Sequence, residues 1–120
     1  MSLMDEIIGK GDTGKDPRFP HAPAGWTAAL AAQTARGEGL ELGVEHWDAL
    51  RALQEYYAKH EAPGINMREL HDALDEKFHR QGGIRHLYVL FPGGPIAQGC
   101  RIAGLKAPAG ATDRGFGSVA

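Results

Sequence analysis

The stretch VEHWDALRALQEYYAKH, residues 44–60, decides how the rest of the chain is read. Trp47, Leu50, Gln54 and Tyr57 fall at i, i+3, i+7 and i+10, with Leu53 beside them. That is the spacing of one buried face of an α-helix. Glycine supports the same division. The chain has 17 glycines, but only Gly64 lies between Val44 and Gln81. The middle third is therefore the regular, helical part, and glycine punctuates both flanks.

Toward the C-terminus, Ala62-Pro63-Gly64 ends this helix. Asn66 is the expected N-cap of the next, with Glu69 as its capping-box partner. Met67, Leu70, Leu74 and Phe78 form its apolar stripe, and Gly82-Gly83 breaks the chain again. Ile84, Leu87, Leu90 and Phe91 predict a short helix stopped at Pro92. Pro95 suits the first turn of a further helix running to about Ala103, with Gly104 as its C-cap. From Leu105 to Ala120 there is no apolar period, which predicts a flexible C-terminal arm.

Toward the N-terminus, Leu40-Glu41-Leu42 is a short link. Residues 25–36 are alanine-rich and predict a helix whose apolar face is Trp26, Leu30 and Ala31. Residues 1–24 read as a leader carrying a short β-hairpin near Asp16 to His21. Met1 to Leu3 read as an extension ahead of a second start at Met4. The expectation is a mainly α domain of about five helices over residues 25–104, between that leader and an arm at 105–120.

With 120 residues, 42% hydrophobic and 23% charged, the chain fits one globular domain. A formal net charge of −2 removes any global basic signature for nucleic acid. No run of apolar residues is long enough to span a membrane, and the first ten residues do not pattern as a secretory signal. The lone Cys100 can neither staple the domain nor build a CxxC metal knuckle. Together these features predict a cytoplasmic protein, where a free thiol stays reduced.

Cys100 leads the candidate chemistry. On the predicted fifth helix it shares a face with Ile96 and Ala103. Two readings stand open. It is a small buried hydrophobe, or it is a reactive thiol beside Gly99, with Arg101 favouring the thiolate. No cofactor or metal is expected. His21, His46, His60, His71, His79 and His86 match no metal spacing. Glu69, Asp72, Asp75 and Glu76 alternate with Arg68, His71 and Lys77 as a solvated helix face does. Gly9 to Lys15 fails as a phosphate loop because Asp16 follows the lysine. The helix pair around Gly82-Gly83 could imitate a helix-turn-helix, with Arg68, Lys77, Arg80, Arg85 and Arg101 as a small basic set for weak DNA binding.

Four segments in order resemble the DsrC/TusE family of sulfur-relay proteins. The first is Leu40 to Leu50 with Gln54 to Tyr57, where His46, Trp47, Tyr56 and Tyr57 match and Gly43 and Gln54 depart from the usual Thr and Arg. The second is APGINMR, residues 62–68. The third is LYVLFPGGP, residues 87–95, and the fourth is CRIAGLK, residues 100–106. The resemblance implies a small orthogonal helical array with a short N-terminal β-meander and a mobile arm. It implies sulfur-relay proteins or a dissimilatory sulfite reductase as partners, and persulfide transfer towards sulfite reduction or tRNA thiolation.

In that family a cysteine beside the C-terminus carries the sulfur, and one branch adds a second cysteine eleven residues earlier. Cys100 matches the earlier one, and Ala111 stands at the terminal position. The chain continues nine residues past Ala111, and a longer arm should enter a narrow partner site poorly. An alanine methyl cannot hold a persulfide. The expectation is a single-thiol persulfide carrier or sensor using Cys100, at most a sulfurtransferase-type carrier. The alternative is a regulatory paralogue that binds family partners or DNA without transferring sulfur. A third reading is an interaction module, which would show Trp47, Tyr56, Tyr57 and Tyr88 exposed together.

Overall fold

The computed structural model describes residues 16–60 and 64–108. Among the described residues five α-helices follow one another: α1 Ala28–Gly37, α2 Val44–Lys59, α3 Met67–Lys77, α4 Gly83–Leu90 and α5 Ala97–Ala103. A 3-10 turn, His79–Gln81, joins α3 to α4. No strand occurs among the described residues.

The hairpin expected at Asp16 to His21 is therefore not formed. Two consecutive turns replace it, closed by Phe19 N–H on the Asp16 carbonyl (2.8 Å) and Ala22 N–H on the Phe19 carbonyl (3.1 Å). Pro17 and Pro20 each take the second position of a turn, which their fixed φ favours, and neither has an N–H for a strand ladder. Asp16 adds an Asx-type bond, its Oδ1 accepting Arg18 N–H at 3.0 Å. A third turn, Pro23 to Trp26, carries Gly25 at φ 83°.

That third turn also shortens α1. Thr27 accepts Leu30 N–H at its Oγ1 and starts the helix two residues after Gly25. Trp26 sits ahead of the helix, so the apolar face shifts to Ala31 and Ala35, and Leu30 is left exposed. In α2 the expected stripe holds, with Leu50, Leu53 and Gln54 buried and Trp47 and Tyr57 half-buried. Gly43 has no side chain to cap α2. Instead its N–H donates to His46 Nδ1 at 3.0 Å, and His46 Nε2 donates to the Leu90 carbonyl at 2.8 Å. Asn66 caps α3 as expected, accepting Glu69 N–H at 3.0 Å. Asp75 reaches across from α3 to accept Ile84 N–H at 2.8 Å, which caps α4 from outside.

The core is one cluster, with α2 packed chiefly on α5 and α3 on α4. The aromatic end is built by Phe19 against Trp26 (5.0 Å between centroids) and Trp47 (5.6 Å). Arg51 lies over the Phe19 ring and donates from its Nε to the Arg18 carbonyl at 2.8 Å. The last helix, α5, is enclosed: of its seven residues only Arg101 is exposed. A helix apolar nearly all round belongs in the interior, and the small residues Ala97, Gly99 and Ala103 let its neighbours close on it.

Candidate functional site

Cys100 lies on α5 at 0% exposure. Its Sγ donates to the Tyr57 hydroxyl of α2 at 3.7 Å, and that hydroxyl donates to the Lys106 carbonyl at 2.7 Å. Burial pushes the thiol up to about 11. Burial likewise pushes the Tyr57 phenol up, with the neighbouring sulfur adding to it. Both groups are neutral near pH 7, and the thiol is a weak nucleophile as it sits.

Arg101, expected to favour the thiolate, is directed to the end of α1 instead. Its guanidinium engages Glu38 through Nε (2.7 Å) and Nη2 (2.9 Å), and this holds the Glu38 carboxyl below its usual range. Consecutive residues of a helix point about 100° apart, so a neighbour in sequence does not face the thiol. Glu38 also accepts Gln98 Nε2 at 3.0 Å, and Gln98 Oε1 accepts Gly93 N–H at 2.8 Å. This network fixes α5 between the end of α1 and the loop that precedes α5.

Gly99 has a packing role rather than an exposed backbone. A Cβ there would meet Leu53 Cδ1 at 2.8 Å, so glycine lets α2 and α5 approach closely. One helical turn from the Tyr57–Cys100 contact, Gln54 Nε2 donates to the Ala103 carbonyl at 3.0 Å. Its Oε1 is buried without a partner. Sequence periodicity places Tyr57 and Gln54 on the core face of α2, but nothing in the spacing links Tyr57 to Cys100 or to the arm.

The other candidates are dispersed. Arg68, Lys77, Arg80 and Arg85 are exposed on α3, the connecting turn and α4. His86 Nε2 lies 3.1 Å from Glu45 Oε1, and Lys77 lies 4.0 Å from Glu55. Trp47, Tyr56, Tyr57 and Tyr88 are all half-buried and so form no exposed aromatic patch. Tyr56 stacks on His60 at 4.0 Å. Among the described residues no three His, Cys, Asp or Glu side chains gather as a metal site, and no helix is long and apolar enough to cross a membrane.

A family model described as DsrC like protein matches residues 13–111. The protein named Sulfurtransferase TusE from Salmonella typhimurium is 44% identical over 85 residues, covering 69% of this chain and 76% of that protein. Its counterpart from Salmonella choleraesuis is 42% identical and that from Escherichia coli K12 40% identical, over the same lengths and shares. No solved structure matches significantly.

Proposed function

The chain belongs to the DsrC-like family, and from that premise we propose that it is a sulfur-relay protein whose single thiol, Cys100, is a gated persulfide acceptor or sensor. The relatives carrying the name sulfurtransferase support the relay role. The observation that carries the gating is the complete burial of Cys100 under Tyr57. With the thiol pushed up to about 11, roughly one molecule in ten thousand is thiolate at pH 7. An opened, solvated cysteine returns to its ordinary range, and the fraction rises by about two orders of magnitude.

The step itself conserves electrons. The Cys100 thiolate attacks the outer sulfur of a donor persulfide. The donor's S–S bond breaks, its inner sulfur leaves as thiolate, and a new S–S bond forms on Cys100. The proton lost from Cys100 goes to solvent. Exchange through a pair of cysteines is not open to this chain, because Ala111 is an alanine. We therefore propose relay proteins that present a persulfide as partners, with the cytoplasm as the reducing setting.

The test is intact-mass analysis of reduced protein after exposure to a persulfide donor, beside Cys100→Ser. The expected result is slow gain of one sulfur atom, absent in the variant and reversed by reductant. A second reading, a regulatory member that binds partners without transfer, is favoured by the same burial. It replaces the first if no sulfur is gained.

A further inference from the structure

Where α5 ends at Gly104, the chain turns back on the helix end. Leu105 N–H donates to the Cys100 carbonyl at 2.8 Å. The carbonyl of the following residue, Lys106, accepts the Tyr57 hydroxyl at 2.7 Å. Leu105 and Ala107 are half-buried against the core, and the Lys106 side chain is exposed. A phenol has one proton to give. Because that proton goes to Lys106, Tyr57 can only accept from Cys100 Sγ. One hydroxyl thus joins the thiol to the base of the arm.

We propose that Tyr57 is a latch: its hydroxyl holds residues 105–107 closed over Cys100, and the thiol becomes reachable when this segment alone opens, with α2, α3 and α4 still folded. Two hydrogen bonds and two half-buried side chains hold the segment. The helices α2 and α5 themselves are held by fully buried side chains, among them Leu50, Leu53 and Ile102. Local opening draws on the least-held part of a structure first. The segment follows the end of α5, so lifting it breaks the cap bond from Leu105 N–H but none of the bonds within the helix. This deepens the proposed function and rests on it only in taking Cys100 as the group that matters. The latch is a feature of the packing whether or not sulfur is transferred.

The test uses the full chain and Tyr57→Phe, which keeps the ring and removes the hydroxyl. Two rates are read: alkylation of Cys100 by iodoacetamide, and hydrogen exchange of the Leu105 amide. Loss of one hydrogen bond corresponds to about a tenfold shift in the opening equilibrium. Both rates should therefore rise about tenfold together, while exchange at Leu74 in α3 stays unchanged. Leu105→Ala, which loosens the segment without touching α2, should show the same pattern. Unchanged rates at Cys100 and Leu105 in both variants overturn the latch. So does an equal rise at Leu74, which would mean that the thiol is reached only by global unfolding. Neither outcome depends on the persulfide experiment, which can fail while the latch stands.

Discussion

At the scale of single residues, Cys100 is a thiol kept neutral by its surroundings. The raised folded value, about 11 against an ordinary 9.0, means that the folded state holds its proton more tightly than the unfolded one. The resulting stabilisation is fully present below pH 9 and is lost as pH rises towards 11. A displacement of that size corresponds to roughly 2–3 kcal/mol. Urea midpoints measured from pH 7 to 11 should fall across that upper window. Cys100→Ala should flatten much of the fall, leaving the share due to Tyr57, whose phenol is displaced in the same direction. A midpoint that falls equally in the variant would show that the thiol is not the titrating group.

At the scale of elements, helix ends here are satisfied from afar. The His46 imidazole serves the Leu90 carbonyl, Gln54 the Ala103 carbonyl and Trp26 the Ile102 carbonyl, while Asp75 serves Ile84 N–H. Helices as short as α4 and α5 are marginal alone, so these bonds and burial define them. Gly104 closes α5 in the left-handed region at φ 80°. A Cβ there would meet Trp26 Cδ1 at 2.8 Å and Pro23 Cγ at 3.2 Å. Gly104→Ala therefore combines backbone strain with overpacking, and should cost about 3 kcal/mol in urea unfolding. Gly39 also has a positive φ, 78°, but open space around the Cβ position. Gly39→Ala should cost only the backbone part, about 1 kcal/mol, which makes it the control.

At the scale of the whole molecule, the N-terminal turns and the last helix form one unit. Trp26 Nε1 donates to the Ile102 carbonyl at 2.9 Å, a buried bond spanning 76 positions. Trp26→Phe would leave that carbonyl without its donor and trim the ring, at a cost of about 2–3 kcal/mol. Cooperative unfolding should survive with a lower thermal midpoint. A split into two transitions would mean that residues 16–26 are not part of the unit. The exposed Leu30, Val44 and Val89 lie on three different helices, α1, α2 and α4, as scattered surface apolar residues do.

The sequence by itself determined five helices, the caps at Asn66 and Gly104, the alanine at position 111 and the family resemblance that the matches bear out. These follow from periodicity, cap chemistry and residue identity, all of which are local. The turns at Pro17 and Pro20 escaped it, where prolines three residues apart outweigh strand pairing, and so did the start of α1 after Gly25. It also misplaced Arg101, because adjacency in sequence is not adjacency on a helix. Only the tertiary structure decided that Cys100 is enclosed, that Tyr57 is its neighbour from 43 positions away, and that the same hydroxyl donates to the Lys106 carbonyl. These are contacts between elements, and no local pattern encodes which faces meet.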